Sequence, residues 1–585
     1  MPSLAAFAVT TFLLAYVMTS GAGAGGFEAR GARWWAVTAA LHLPYFVVLL
    51  FLVGGLVERF GFFWRGRAPE PGGRLPAELP TVCVQLPMFN ERAVARRTIE
   101  AACALDWPAD RFSVQVLDDS TDEDTRRLVD DVCAELRAST GVDCRVLRRD
   151  DRRGYKAGAL EEGRNETDAE FLAIFDSDFV PPRDFLLRAM PHFYLADGAP
   201  EAGLALVQAQ WGHLNHDESF LTQAQSLWVD DHHTLQMSWR SAMWGFVNFT
   251  GTAGVWRASA IVAVGGWRAA SLVEDCELSF RHLFAGYRTT FVKEIVAPAE
   301  LPATYTAYKA QQKRWTRGWV QLQRLHLATL LFRFRCSWLR RAHLVYHMCI
   351  SWQWPAWAIW IALLPFLIYA GHWFGALSTA VGVSLYVLPA LLWVVVSATV
   401  ATLETKHTYP EDLTPSTFLR RVGRIVPHAV VNAGMLPHQV TAFAEGLFAP
   451  LHGEFERTPK TASVTPTWSE TASLERPRPV AAPAGTAHAT DGVRIHWPCR
   501  VAEGWYVAFQ FAWVVLFAMD GLVVPAVGAA FLAACVVYVG FYETKRAGLP
   551  SSSTEAPSRR RRGSQRTRRA RAAPLVRQRI SHDTN

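Results

Sequence analysis

Residues 171–178 read FLAIFDSD, a short apolar run that ends in two aspartates. The run Phe171–Phe175 is rich in β-forming residues, so it predicts a buried strand. Asp176, Ser177 and Asp178 follow it directly. An acidic pair placed just after a buried strand is typical of a polar site at the edge of a sheet.

Similar runs precede this stretch, and helical patterns separate them. The sequence therefore predicts an α/β Rossmann-like domain, a parallel sheet with crossover helices. The earlier predicted strands are Thr81–Leu86, Ser113–Leu117 and Asp143–Leu147, and the predicted helices lie near Arg92–Leu105, Asp122–Arg137 and Tyr155–Arg164.

The residues that follow the predicted strands are polar or acidic. In open α/β sheets, ligands bind beyond the carboxyl ends of the strands, so we expect these residues to converge on one edge. They are Pro87, Asn90 and Glu91 after the first strand, Asp118 and Asp119 after the second, and Asp176 and Asp178 after the fourth.

Asp176 and Asp178 could offer oxygen ligands to Mg²⁺ or Mn²⁺, which in turn would neutralise a diphosphate. Lys156, which opens a predicted helix after Gly154, could supply a further cation for the phosphates. Aspartates at a strand end also serve as turn or helix-cap residues, and for DSD taken alone that alternative is favoured.

The composition is that of a membrane protein, since half of the 585 residues are hydrophobic and 23 are Trp. About six spans are expected, each needing about 20 apolar residues. The uncharged stretches are residues 1–27, 34–57, 342–403 (long enough for two crossings) and 504–542 (a second pair, interrupted only by Asp520). A cleaved signal peptide is the alternative for the first stretch.

Residues 426–444 are apolar but contain Pro, His, Asn and Gln side chains that are costly in lipid, so we expect this segment to be interfacial or re-entrant. The polar block between the spans is flanked by Arg59, Arg65 and Arg67, which favours a cytoplasmic position at a plasma or inner membrane.

The expected organisation has six parts. They are two transmembrane helices (1–64), a cytoplasmic domain ending in an interfacial helix (65–340), a transmembrane pair (341–404), a cytoplasmic or interfacial segment with a linker (405–502), a second pair (503–543) and a basic tail (544–585).

The formal net charge is +7, and much of the excess lies in the arginine-rich tail. Anionic membrane lipid is the expected partner of that tail, and nucleic acid is the less favoured alternative. The nine cysteines form no CxxC pair, so we expect neither disulfides nor zinc.

More motifs follow in order: NFTGTAG (248–254), VED (273–275) and QQKRW (311–315). Together with Asp118-Asp119 and DSD, they resemble the family 2 inverting glycosyltransferases, and above all their membrane-embedded processive synthases. The segments GYKAGAL, FTGTAGVWR and VEDCELSFR are similar in sequence to the corresponding motifs of the cellulose synthase-like mannan and glucan synthases. This resemblance, over roughly residues 80–325, implies a GT-A type of fold.

The resemblance also implies roles for single residues. Pro87, Asn90, Glu91, Asp118, Asp119 and Lys156 would bind the nucleotide sugar, Asp176 and Asp178 the metal and diphosphate, and Gly251 and Thr252 the acceptor. Asp275, beside Glu274, matches the general base that deprotonates the acceptor hydroxyl. One carboxylate opposite the leaving diphosphate is enough for a single inverting displacement.

In the family, QQKRW lies on a helix at the membrane surface. There Gln311 and Arg314 would contact the donor diphosphate, because guanidinium forms a planar fork to phosphate oxygens, and Trp315 would stack on the acceptor sugar. An ordinary interfacial helix is the alternative. Phe455, Thr458 and Lys460 resemble a gating loop, with a polar cytoplasmic loop as the equal alternative.

Two further features concern possible metal ligands. Phe179 follows DSD where cellulose synthases commonly have His. Asp230, Asp231, His232 and His233 could suggest a metal cluster, but adjacent side chains diverge, so structural or channel roles are favoured.

The leading hypothesis is a processive β-glycan synthase that takes GDP-mannose or UDP-glucose and passes a growing polysaccharide through its own helices. The second is a non-processive transferase with a membrane-lipid acceptor, like ceramide glucosyltransferases. The third is a transporter or channel whose soluble block senses a nucleotide sugar. Donor identity, linkage and accessory subunits are not readable from the sequence.

Overall fold

The structure is a computed structural model. It describes residues 31–67, 72–376, 378–405, 408–409, 411–451, 464–467, 478–481 and 496–546.

A mixed sheet of seven strands forms the centre of the described domain, in the order β3-β2-β1-β4-β6-β5-β7. Strands β1 to β4 pair in parallel, with Val84 opposite both Val114 and Ala173. The strands are β1 (Val82–Met88), β2 (Phe112–Asp118), β3 (Asp143–Leu147), β4 (Phe171–Ile174), β5 (Leu204–His213), β6 (Gly254–Arg257) and β7 (Arg288–Ala299), with a separate hairpin of β8 (Val464–Thr467) and β9 (Arg478–Ala481).

The four predicted strands are confirmed within two residues at each end, and the expectation of a wholly parallel sheet is wrong. Strand β6 runs antiparallel to both β4 and β5. Ile174 therefore pairs with Gly254, so the loop that leads into β6 lies at the same sheet edge as the DSD motif. A parallel arrangement would have put that loop at the opposite edge.

The helices cover both faces of the sheet and continue into the membrane region. They are α1 (Ala32–Leu41), α2 (Leu43–Gly61), α3 (Arg92–Cys103), α4 (Glu123–Thr140), α5 (Tyr155–Asn165), α6 (Phe185–Ala189), α7 (Phe220–Asp230), α8 (Ser238–Trp244), α9 (Ala258–Ala263), α10 (Glu274–Phe284), α11 (Tyr305–Ala328), α12 (Trp338–Met348), α13 (Gln353–Tyr369), α14 (Thr379–Gly382), α15 (Leu388–Glu404), α16 (Pro415–Val422), α17 (Ile425–Phe448), α18 (Trp497–Met519) and α19 (Val523–Arg546).

Short π-helical and 3₁₀ segments extend several of these helices. The π segments are Phe62–Gly66, Asp231–Met237, Thr329–Arg333 and Val383–Val387, and the 3₁₀ segments are Ala109–Arg111, Met190–Phe193, Ile350–Trp352 and Phe374–Ala376.

Local sequence signals explain where the domain helices begin and end. Asp122 caps α4, since its carboxylate accepts a hydrogen bond from the Thr125 amide at 2.9 Å, and Gly141 with φ +72° ends the helix. Helices α3 and α4 bury Ile99 and Val129 on one face of the sheet. On the other face, α5, α9 and α10 bury Leu160, Ile261 and Leu278.

Five helical segments in the described residues are long and apolar enough to cross a membrane. Each corresponds to one of the predicted spans, and the remaining prediction, residues 1–27, lies outside the described residues. The segments are Leu43–Gly66, Ile350–Tyr369, Ala380–Glu404, Trp497–Met519 and Val523–Tyr542.

The ambiguous segment 426–444 forms the long helix α17, which is not among those five. Two of its polar side chains bond α11, and His428 bonds the Ala224 carbonyl of α7 at 3.4 Å. Gln439 donates to the side chain of Gln312 at 3.2 Å, and His438 bonds the Lys309 carbonyl at 2.8 Å. Contact with a polar helix removes the cost of placing these groups in lipid, and whether α17 crosses the membrane stays a prediction.

The acidic pair in the middle of the chain ties the domain to the membrane helices. Asp231 is bonded to Arg59 of α2, while Asp230 is bonded to His213 at 3.0 Å and to Arg424 at 3.2 Å. The two carboxylates point into separate buried networks, so the prediction that these adjacent side chains diverge is confirmed.

Candidate active site

One cavity collects most of the predicted site residues. It lies between the carboxyl edge of β1, β2 and β4, the start of α10, and α11. Of the predicted residues, its lining includes Pro87, Glu91, Asp119, Lys156, Asp176, Asp178, Gly251, Glu274, Asp275, Gln311, Arg314 and Trp315. The predicted residues Asn90, Asp118 and Thr252 do not line the cavity.

Asn90 joins two of the strand-end loops instead of lining the cavity. Its side-chain oxygen accepts from the amides of Thr121 at 2.9 Å and Asp122 at 3.1 Å, and its own amide donates to Ser120 Oγ. Asn tolerates its backbone φ of +54° better than most residues. Asn90 therefore fixes the loop that carries Pro87, and its predicted contact with the nucleotide sugar stays a prediction.

The two aspartates after β2 are each paired with an arginine. Asp118 is fully buried and bonded by Arg148 Nε at 2.9 Å, and it also accepts from the Ser120 amide. Asp119 is bonded by Arg149 Nε at 3.0 Å and reaches the cavity wall. Asp118 thus shapes the loop, and Asp119 is the member of the pair placed to meet a ligand.

Lys156 connects three parts of the site. Its ammonium donates to Asp176 Oδ1 at 2.5 Å and to the Gly251 carbonyl at 2.8 Å. Burial by itself lowers the pKa of Lys156, but the Asp176 and Glu274 carboxylates outweigh it, so the pKa is raised. The group therefore stays charged and can neutralise an anion in the cavity.

The loop before β6 holds Asp176 and Asp275 close together. Thr252 is buried, and its hydroxyl accepts from the Asp176 amide at 2.9 Å. Gly251 has φ +85°, and a Cβ on it would lie 3.0 Å from Asp275 Oδ2. Glycine is required there by conformation and by space. Thr252 therefore positions a site residue, and its predicted acceptor contact stays a prediction.

Glu274 and Asp275 begin α10, where the partial positive charge of a helix N-terminus favours carboxylates. Burial is nevertheless the largest effect on both. Burial raises the pKa of Glu274 to about 7, the Asp275 charge adds to that rise, and Lys156 opposes it. Burial likewise raises the pKa of Asp275 against the opposing Lys156 charge. Raised carboxylate pKa values are typical of general bases.

Helix α11 presents QQKRW to the same cavity. Gln311, Arg314 and Trp315 line it, whereas Lys313 points away and pairs with Glu445 at 3.3 Å. A Cβ on Gly318 would lie 2.6 Å from Val273, so α11 packs directly against the VED segment.

Helix α11 is also bonded to a candidate membrane span. Lys309 lies 2.5 Å from Glu503 of α18, and both side chains are buried. The helix therefore contacts the carboxylate pair on one side and the membrane helices on the other.

Asp176 and Asp178 could hold a divalent cation together with a ligand. The Asp176 side chain is 37% exposed to the cavity, which leaves carboxylate oxygen accessible for Mg²⁺ or Mn²⁺. Within the described ranges, no group of three or more His, Cys, Asp or Glu side chains is placed to bind a metal. The donor set fits a cation that takes its further ligands from phosphate oxygens and water.

Several cavity residues were missed by sequence reasoning. Trp228 of α7 lies 5.8 Å from Trp315 between ring centroids, at 30°. Arg152 lies over the Phe89 ring at 3.3 Å. The sequence offered two weak signals for these residues. Trp228 lies two positions before Asp230, and Arg152 lies two positions before the segment GYK. The expected gating residues Phe455, Thr458 and Lys460 lie outside the described residues.

The cavity lies within a region that matches two family models. Residues 83–199 match the model described as Glycosyl transferase family 2, and residues 171–399 match Glycosyl transferase family group 2. The match covers β1 to β7, α11 and the first membrane helices after them.

Curated relatives match the same part of the chain. It is 41% identical over 294 residues to the probable glucomannan 4-beta-mannosyltransferase 2 of Oryza sativa subsp. japonica, covering 49% of this chain and 50% of the relative. It is 41% identical over 270 residues to glucomannan 4-beta-mannosyltransferase 9 of Arabidopsis thaliana, covering 46% and 50%. The chain spans about half the length of these relatives.

Among solved structures, the mannosyltransferase PcManGT from Pyrobaculum calidifontis, in complex with GDP-Man and Mn²⁺, aligns at 18% identity with a TM-score of 0.45. The alignment covers 67% of this chain and 99% of that one. The family models, the mixed α/β sheet with its carboxylates at the strand ends and the relatives agree: the chain carries a family 2 glycosyltransferase domain of the GT-A type, flanked by candidate membrane helices.

Proposed function

We propose that the protein is an inverting β-glycosyltransferase that transfers mannose from GDP-mannose to a mannan or glucomannan chain. One observation carries the proposal: Lys156 joins Asp176 to the loop beside Asp275, in a cavity that Arg314 and Trp315 also line. The mannosyltransferase names of the relatives support mannose as the sugar. UDP-glucose is the alternative donor.

The donor diphosphate would lie against Lys156, Arg314 and Gln311. Lys156 and Arg314 supply fixed positive charge where negative charge develops on the leaving group. A divalent cation bound by Asp176 and Asp178 would neutralise the same diphosphate. The nucleoside would then extend toward Pro87, Glu91 and Asp119 at the ends of β1 and β2.

Asp275 would remove the proton from the acceptor hydroxyl. The residue lies beside Gly251 and lines the same cavity as the proposed diphosphate-binding groups. A buried carboxylate with a raised pKa is a stronger base than an exposed one, which suits an alcohol nucleophile. Attack from the side opposite the leaving group gives inversion in one step. Glu274 would keep the local charge balanced against Lys156.

The acceptor sugar would stack on Trp315, with Trp228 beside it. An indole face suits the apolar face of a pyranose. The five candidate spans support a product that leaves through the membrane, with the domain on the cytoplasmic face of a plasma or inner membrane. A single-step enzyme acting on a membrane lipid is the alternative, because α11 lies close to the membrane helices.

The test uses membranes that contain the full chain, radiolabelled GDP-mannose or UDP-glucose, and Mg²⁺ or Mn²⁺. Asp275→Asn membranes serve as the blank. We expect label from GDP-mannose in a long, alcohol-insoluble chain that β-mannanase digests. Label confined to an organic-extractable lipid would contradict a polymer product, and equal labelling by Asp275→Asn would contradict the assigned base.

A further inference from the structure

Two distant segments of the chain expose large aromatic rings next to arginines. In the first, Trp64 is 89% exposed and Arg65 follows it. In the second, Phe332 is 82% and Trp338 is 61% exposed, with the exposed Arg333 between them. Soluble surfaces rarely expose such rings together. We define the basic aromatic patch as Trp64, Arg65, Phe332, Arg333, Arg335 and Trp338.

Helix α8 brings the two segments together. On one side, a Cβ on Gly61 would meet the Trp239 indole at 2.2 Å, and Arg65 contacts Met243 Sδ at 3.8 Å. On the other side, Arg340 donates to the Trp244 carbonyl at 3.0 Å. Met243 and Trp244 are adjacent, so both segments contact the same end of α8.

The patch lies where the chain enters and leaves the candidate membrane helices. Its first segment ends the span Leu43–Gly66, and its second precedes the span Ile350–Tyr369. Both of these ends adjoin the catalytic domain, so both face the same side of a membrane. Aromatic rings beside arginines at that depth are typical of the headgroup region.

Arg65, Arg333 and Arg335 form no ion pair within the part of the chain that the structure describes. The sequence has no Asp or Glu from 301 to 403. The second segment is held in shape by backbone contacts, as when Arg341 donates to the Phe334 carbonyl at 2.6 Å.

We propose that the basic aromatic patch is a docking site for anionic phospholipid headgroups of the leaflet on the domain side. The arginines would pair with headgroup phosphates, and the rings would lie at the boundary with the acyl chains. The occupant follows from position and charge: the patch adjoins two candidate spans, and its exposed arginines form no ion pair among the described residues. The inference does not depend on the sugar transferred.

The test measures lipid binding by the full-length protein in detergent, using native mass spectrometry. Phosphatidylglycerol and phosphatidylcholine with the same acyl chains are added separately. The variant is Arg333→Gln/Arg335→Gln, and the matched control is Arg126→Gln/Arg127→Gln on the distant helix α4, where both arginines lie near Asp or Glu. Both pairs are at the surface, so both variants should fold.

We expect the wild type and the control to bind phosphatidylglycerol more tightly than phosphatidylcholine. The Arg333→Gln/Arg335→Gln variant should lose roughly 10-fold of its affinity for phosphatidylglycerol alone. Wild-type affinity in that variant would assign the preference to another basic region, such as the tail, and overturn the proposal. An absence of any preference in the wild type would also overturn it.

Discussion

Lys156 lies 2.5 Å from Asp176, and this ion pair lines the cavity where a donor diphosphate would bind. The lysine also holds the Gly251 carbonyl, so it fixes the loop that touches Asp275. A single cation thus links the proposed metal-binding side of the cavity to the proposed base.

Lys156→Met should raise the KM for the sugar donor and lower kcat/KM by about 10²-fold, because a fixed charge next to the leaving group is lost. Initial rates at varied donor concentration measure this. Lys293→Met, which removes a lysine outside the cavity, is the control. An unchanged donor KM in Lys156→Met would contradict a role at the diphosphate.

Gly251→Ala should reduce activity strongly while the protein still folds, because the new methyl group would press on Asp275 Oδ2. Gly286→Ala is the matched control. Gly286 has φ +89°, close to that of Gly251, but a Cβ there meets nothing within 4 Å. Both variants carry backbone strain of about 1 kcal/mol. Equal activity loss in the two would show that strain alone explains the effect.

The rate should fall as the pH drops through the titration of Glu274 and Asp275. A base acts in its ionised form, and both carboxyl groups have raised pKa values, that of Glu274 to about 7. Glu274→Gln removes a neighbouring negative charge, so ionised Asp275 becomes easier to form. The acidic limb of the kcat/KM profile should then move to lower pH, and a shift to higher pH would contradict the coupling.

Trp315→Ala should weaken acceptor binding by about 2 kcal/mol, roughly 30-fold in the KM for an added mannan oligosaccharide. Trp228→Ala should have a smaller effect in the same direction, since Trp228 contacts the Trp315 ring. Trp505→Ala, at a 74% exposed position, is the control. Normal acceptor KM with a raised donor KM would place Trp315 at the donor instead.

The strands with a clear β-rich run of residues were predictable from the sequence. The runs Ser113–Leu117 and Phe171–Phe175 carry the β-rich signal of buried strands, and the motifs after them converge as expected. The antiparallel strand β6 was not predicted, because four residues, Gly254–Arg257, do not reveal a strand direction.

Side-chain roles were harder to predict than positions. Asn90 and Asp118 carry the polar groups expected at a ligand, yet their bonds go to neighbouring loops. Trp228 joins the site through a contact with Trp315, 87 positions away, which no local pattern records. Such pairings depend on tertiary packing and need coordinates.

The ion pair between Lys309 and Glu503 restricts how the chain can vary in length. Glu503 lies six residues after Trp497, where the helix starts, and its buried carboxylate pairs with Lys309 of α11 and with Arg500 of its own helix. Each inserted or deleted residue turns a helix by about 100°. A one-residue insertion or deletion between Trp497 and Glu503 would rotate the start of the helix against its remainder. Homologous chains should therefore keep this spacing constant.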